Sequence, residues 1–189
     1  MPVNIPNILT WARIVLIPLV VGVFYMPLPL AEQNLISTVA FVVAAVTDWF
    51  DGWLARKLNQ TSAFGAFLDP VADKLMVAAA LVMLVQLERT DAVLAFVIIG
   101  REIAISALRE WMAKIGASKS IAVSFIGKLK TTAQMSAIPL LLWNSDRMLG
   151  TIGVTQLGTY LLWGAAVLTL WSMIYYMRRA WPEISERSK

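Results

Sequence analysis

The chain has 189 residues, 59% hydrophobic and 15% charged, with 16 Lys and Arg against 12 Asp and Glu for a net charge of +4. Its mean hydropathy of +0.70 exceeds that of an ordinary soluble domain and points to a membrane protein. With no Cys and no His, disulfides, thiolate ligands, cysteine nucleophiles and imidazole bases are excluded, so acid–base or metal chemistry falls to carboxylates.

The uncharged runs are 14–31, 33–47, 75–87, 92–100, 131–145 and 148–177. A spanning helix needs about 20 residues. Most of these runs therefore span only if they take charged residues at their ends into the membrane, where such groups normally face a polar cavity and serve a function. Residues 1–8 read as an interfacial entry, with Asn7 or Thr10 suited to cap a helix start. The first apolar run lacks a small-residue cleavage pattern and is expected to remain in the protein. Six spans follow, near 9–30, 34–57, 66–87, 92–113, 127–143 and 152–177. Pro27 and Pro29 help to end the first. Polar turns at 59–62, 88–91 and 144–147 and a longer connection at 114–127 separate the later spans. Arg178-Arg179 is expected to stop the sixth, leaving 178–189 as a tail. The expected fold is all-α: one polytopic membrane domain covering 1–189.

Six spans place both termini on one side. Of the 16 Lys and Arg, only Arg89 and Arg147 fall on the opposite side. The basic side should be cytoplasmic. Eight Trp and four Tyr suit anchoring at the interfaces.

Asp48 to Asp73 concentrates four carboxylates in an otherwise apolar region. On a helix Asp48, Asp51, Gly52 and Ala55 share a face, and Gly65, Asp69 and Asp73 recur every four residues on the next helix. A short turn joins the two, so they are expected to be antiparallel neighbours with the carboxylates converging at the cytoplasmic end. Gly52, Ala55 and Gly65 leave room for a nucleotide or another backbone. Arg56 and Lys74 offset only part of the negative charge. Divalent cations would offset more, and all-oxygen ligands suit magnesium or manganese. A pair of such ions would clamp a phosphoryl group, with Arg56 on a phosphate oxygen and one aspartate left as a general base. Read singly, these residues are also ordinary structure: Asp69-Pro70 resembles a helix N-cap, and Asp51 with Arg56 a surface ion pair.

The spacing Asp48-x2-Asp51-Gly52-x2-Ala55-Arg56-x8-Gly65-x3-Asp69-x3-Asp73 resembles the signature of the CDP-alcohol phosphatidyltransferases. Similarity continues through Asn4-Ile-Pro-Asn7-Ile-Leu-Thr10-x2-Arg13, through Arg101-Glu102 to Arg109-Glu110-Trp, and through Gly127-Lys128-Leu-Lys130-Thr131-Thr-Ala-Gln134. Gram-negative bacterial members are the nearest likeness. The resemblance implies that Asp48, Asp51, Asp69 and Asp73 hold two divalent cations, Mg2+ or Mn2+. It implies that Asp73 takes the proton from the acceptor hydroxyl. Gly52, Ala55, Arg56 and Gly65, with Asp48 and Asp69, would bind the CDP part of CDP-diacylglycerol. It further implies a six-helix homodimer in the bacterial inner membrane, with the site open to the cytoplasm and the inner leaflet. No nucleic-acid partner is expected.

Arg101 and Arg109 lie eight residues apart on the fourth predicted helix, about 80° apart in projection, and both can enter one cavity. Lys128 and Lys130 open the fifth, whose N-terminus itself favours an anion. Glu102 and Glu110 read as structural partners of these cations. A phosphorylated acceptor, glycerol 3-phosphate, would satisfy Arg101, Arg109, Lys128 and Lys130, although each lysine alone also suits anchoring on anionic lipid. Asn7, Thr10, Arg13, Thr131 and Gln134 are further candidates for the site lining. The resemblance implies a reaction that moves the phosphatidyl group of CDP-diacylglycerol to the C1 hydroxyl of glycerol 3-phosphate. That would commit lipid to phosphatidylglycerol and cardiolipin. Two other readings stand beside it: a relative using another alcohol, such as serine or inositol phosphate, and a divalent-cation transporter. The crowding of charge on one side disfavours the transporter.

Overall fold

The computed structural model describes residues 5–58, 63–116, 125–145, 147–149 and 151–187. Of the candidate site residues, the side chains of Asn7, Thr10, Asp51, Arg56 and Lys128, and the surroundings of Gly52 and Ala55, lie outside the described set. Among the described residues there are six α-helices: α1 Ile5–Gly22, α2 Leu30–Leu58, α3 Ala63–Gln86, α4 Ala92–Lys114, α5 Phe125–Trp143 and α6 Val154–Arg187. A 3-10 turn, Val23–Tyr25, follows α1.

Two boundaries depart from expectation. The first helix starts at Ile5 and ends at Gly22, so residues 5–8 belong to it and the proline-rich stretch falls in the connection. The last helix continues through Arg178-Arg179 and Pro182 to Arg187. Arginine is a good helix former; its charge ends an apolar run without ending the helix. The fold is all-α as expected, with only a short two-stranded antiparallel ribbon between α5 and α6. Its strands β1 Met148–Leu149 and β2 Ile152–Gly153 pair Met148 with Gly153 and Leu149 with Ile152.

The main core draws Val20, Phe41, Met76, Leu81, Leu84, Ile98, Ile138, Leu141 and Leu162 from all six helices. A second cluster, Ile105, Met112, Tyr176 and Ala180, locks α4 to α6. The α5–α6 packing is the most extensive, and Gly158 permits it: a Cβ there would lie 3.0 Å from Leu141 Cγ and 3.1 Å from Leu140 Cβ. The expected α2–α3 neighbourhood is slight. Instead α1 packs on both, which carries Arg13 between the two aspartate-bearing helices.

Two stretches, 30–50 and 154–185, are long and apolar enough to cross a membrane, and they point to membrane association. Their outer faces agree. Leu35, Val39, Val42, Val46 and Trp49 on α2, and Tyr160, Trp163, Val167, Trp171 and Ile174 on α6, form exposed stripes at helical spacing. An apolar surface of that extent suits lipid rather than water.

One end of the bundle is tied by Arg89. After α3, Glu88 takes a left-handed conformation (φ 57°). The Arg89 amide donates to Leu84 O at 2.8 Å and the Glu88 amide to Val85 O at 3.0 Å, closing a Schellman cap. Arg89 Nη1 donates to Leu142 O at 2.7 Å and Leu141 O at 3.2 Å, and Nη2 to Asn34 Oδ1 at 2.7 Å. One guanidinium thus caps α5 and holds the start of α2. Burial draws its pKa down, but an arginine starts so far above neutrality that it keeps its charge. Asp91 caps α4 beside it, accepting from Val93 N at 2.7 Å.

Candidate active site

At the other end of the bundle, α2, α3, α4 and the start of α5 enclose a cavity of about 580 Å3. Asp48, Asp69 and Asp73 line it from α2 and α3. Arg101, Glu102, Ser106 and Arg109 line it from α4, and Gly127, Lys130, Thr131 and Thr132 from α5. Antiparallel helices of similar length bring the end of α2 beside the start of α3, and the end of α4 near the start of α5. Residues far apart in sequence therefore share one chamber.

The carboxylate side is closely spaced in charge. Asp48 and Asp69 repel each other, and Asp73 is repelled by Asp48 and Glu102. Arg13 counters this from α1: its fully buried guanidinium reaches Asp48 Oδ1 at 2.5 Å. Lys74, on the cavity wall, donates to Pro70 O at 2.9 Å within its own helix. Gly65 is buried in α3. Among the described residues no three carboxylates form a preassembled metal cluster, and Asp51, the fourth member of the motif, lies outside that set. The donor chemistry fits a hard divalent cation, because the carboxylate oxygens of Asp48, Asp69 and Asp73 face one cavity from two helices.

The cationic side is built differently. Arg101 is 5% exposed, and its Nη1 lies 3.3 Å from Glu102 Oε1. Lys130 Nζ donates to the same Glu102 oxygen. Glu102 thus bridges two cations, as a structural partner would, and also faces the cavity. Glu110 instead pairs with the exposed Lys114 at 2.9 Å. Arg109 Nη2 donates to Tyr176 Oη at 3.2 Å, and its guanidinium carbon lies 5.1 Å from that ring's centroid. Arg101 Nη2 donates to Ser172 Oγ at 2.7 Å.

The structure therefore brings Asp48, Asp69, Asp73, Arg101, Arg109, Lys130 and Thr131 to one cavity. Arg13 sits behind Asp48. Gln134 is 3% exposed and is not among the lining residues. Sequence reasoning missed Ser106, Thr132, Ser172 and Tyr176. A hydroxyl recurring within the apolar sixth run was the signal available for the last two.

An adjoining cavity of about 780 Å3 between α3 and α4 shares Pro70, Lys74, Glu102, Ser106 and Arg109 with the first, and continues along Val71, Leu75, Ile99, Ile103 and Ala107.

A helical bundle with lipid-type outer faces and one chamber holding aspartates against arginines and a lysine defines a membrane-associated protein equipped for phosphate-bearing lipid chemistry. The chain belongs to the CDP-alcohol phosphatidyltransferase family, whose model matches residues 3–171. It is 53% identical over 188 residues to the CDP-diacylglycerol–glycerol-3-phosphate 3-phosphatidyltransferase of Pectobacterium atrosepticum, covering 98% of this chain and 100% of the relative. It is 52% identical over 182 residues to the protein of the same name from Salmonella choleraesuis, covering 95% and 96%. The Sodalis glossinidius protein of that name is 52% identical over 188 residues, covering 98% and 100%.

Proposed function

We propose that this enzyme transfers the phosphatidyl group of CDP-diacylglycerol to the C1 hydroxyl of sn-glycerol 3-phosphate, giving phosphatidylglycerophosphate and CMP. The observation that carries the reading is the convergence of Asp48, Asp69 and Asp73 with Arg101, Arg109 and Lys130 on one cavity. Relatives above 50% identity that bear the name of this reaction support it. The adjoining apolar cavity suits a substrate whose charged head carries acyl chains.

In this reading Asp48, Asp51, Asp69 and Asp73 hold divalent cations, which when bound supply charge stabilisation to the phosphoryl group in transfer. Arg56 and the small residues Gly52, Ala55 and Gly65 receive the CDP portion. Arg101, Arg109, Lys128 and Lys130 hold the acceptor phosphate, with arginine matching its oxygens in a fork. The Asp73 carboxylate accepts the proton of the C1 hydroxyl. The C1 oxygen attacks the β-phosphorus, which carries diacylglycerol. The bond from that phosphorus to the bridging oxygen breaks, and CMP leaves with the electron pair. Six membrane spans, a cytoplasmic site in the bacterial inner membrane and a homodimer complete the proposal. The basic residues at the cavity end support the sidedness.

CMP release by purified protein, with CDP-diacylglycerol, magnesium and a panel of acceptors, tests the reading. Activity with glycerol 3-phosphate is expected. Activity with serine or inositol phosphate in its place would overturn it.

A further inference from the structure

The two arginines on the cavity wall are held from outside the cavity by hydroxyls of α6. Ser172 and Tyr176 are four residues apart, so they share a face, and they are 1% and 0% exposed. Arg101 and Arg109 lie eight apart on α4, and each meets one of these hydroxyls, at 2.7 Å and 3.2 Å. The Ser172 hydroxyl is itself directed, donating to Thr169 O at 2.9 Å. Its lone pairs are thereby left to the guanidinium. The Tyr176 ring lies beneath Arg109 and packs with Ile105, Met112 and Ala180, which fixes α4 against α6 at this level.

Hydroxyl contacts between membrane helices often serve only as packing glue. The chemistry here does more. A carboxylate partner would orient an arginine and also cancel its charge. At Arg109 the neutral Tyr176 hydroxyl orients the guanidinium and leaves its charge for an incoming anion, while Arg101, oriented by Ser172, shares Glu102 with Lys130. Among the described residues Arg109 forms no ion pair with a carboxylate, and Tyr176 is its hydrogen-bond partner. Both hydroxyls fall beyond residues 3–171, the stretch matched by the family model.

We infer that Ser172 and Tyr176 are positioning residues for the acceptor phosphate: they hold Arg101 and Arg109 in the direction that receives it. The inference rests on the proposed acceptor site and names the part of α6 that sets its affinity.

The test is steady-state CMP release by the full chain in detergent, varying each substrate separately, for Tyr176→Phe, Ser172→Ala and, as reference, Arg109→Ala. Tyr176→Phe keeps the ring beneath Arg109 and removes only the hydroxyl. Each hydroxyl variant is expected to raise KM for glycerol 3-phosphate about tenfold, the usual effect of one hydrogen bond to a charged group. KM for CDP-diacylglycerol and the melting temperature should stay near those of the parent. A purely structural role would instead lower the melting temperature and kcat together, or raise both KM values alike, and either pattern overturns the inference. If Arg109→Ala raises the acceptor KM while neither hydroxyl variant does, the positioning role fails and the acceptor site stands. If Arg109→Ala also leaves it unchanged, the acceptor site itself fails. Should Tyr176→Phe not fold, Ser172→Ala decides the matter, because it removes one oxygen from a buried position.

Discussion

Arg13 and Asp48 form an ion pair at 2.5 Å in which the guanidinium is fully buried and the carboxylate remains 38% exposed to the cavity. The pair ties α1 to the aspartate motif. It sets a positive charge behind a carboxylate that already faces the repulsion of Asp69.

Removing Arg13 leaves Asp48 without this partner. The charge left behind is 38% exposed, so the loss falls below the ~3–5 kcal/mol of a fully buried pair and nearer the ~1.5–3 kcal/mol of a hydrogen bond to a charged group. Thermal unfolding in detergent should show a clear fall, with Arg13→Lys between the two. A melting temperature unchanged in Arg13→Ala would mean that the pair does not hold α1 in place.

Asp73→Asn keeps the size of the side chain and removes its ability to accept the hydroxyl proton. CMP release should drop by about 10²–10⁴, while the melting temperature stays near that of the parent. Near-normal release would remove Asp73 from the base role.

Arg109→Ala deletes a cavity cation that has no carboxylate partner among the described residues. KM for glycerol 3-phosphate should rise at least tenfold, on the scale of a charge-assisted hydrogen bond. KM for CDP-diacylglycerol should change far less. An equal rise in both would place Arg109 at the nucleotide or the diphosphate.

Chelation addresses the carboxylates as a group. EDTA should abolish CMP release, and added magnesium or manganese should restore it. Full activity in chelator would show that the aspartates act without a divalent cation.

Gly158→Leu tests the packing of α5 against α6 near the Arg89 end of the bundle. The space facing Gly158 is already filled by Leu140 and Leu141. Overpacking of this kind costs about 1–3 kcal/mol, so the variant should melt earlier. An unchanged melting temperature would show that the two helices separate easily at this level.

The sequence displayed those parts of the protein that obey a period. Polar turns separated the apolar runs, and the four middle helices, α2 to α5, lie close to the predicted ranges. Asp69 and Asp73 stood out through their four-residue spacing on a chain with little else charged nearby. What was hidden depended on which helix touches which. A short turn between α2 and α3 suggested direct packing, but α1 lies against both, so Arg13 as partner of Asp48 was not visible. Ser172 and Tyr176 sit in an apolar run, where a hydroxyl reads as ordinary interior, and their meaning appears only once α6 lies along α4. Arg178-Arg179 looked like the end of a helix because charge and helix termination were treated as one signal. They are separate, since arginine favours helix wherever it sits.

The knot at Arg89 gives the bundle a fixed end and a working end. Three helices converge on one guanidinium at the end of the bundle opposite the cavity. The mutual register of α2, α3 and α5, and with it the spacing of the aspartates and of Lys130, is thus anchored by a joint that no residue of the chamber shares.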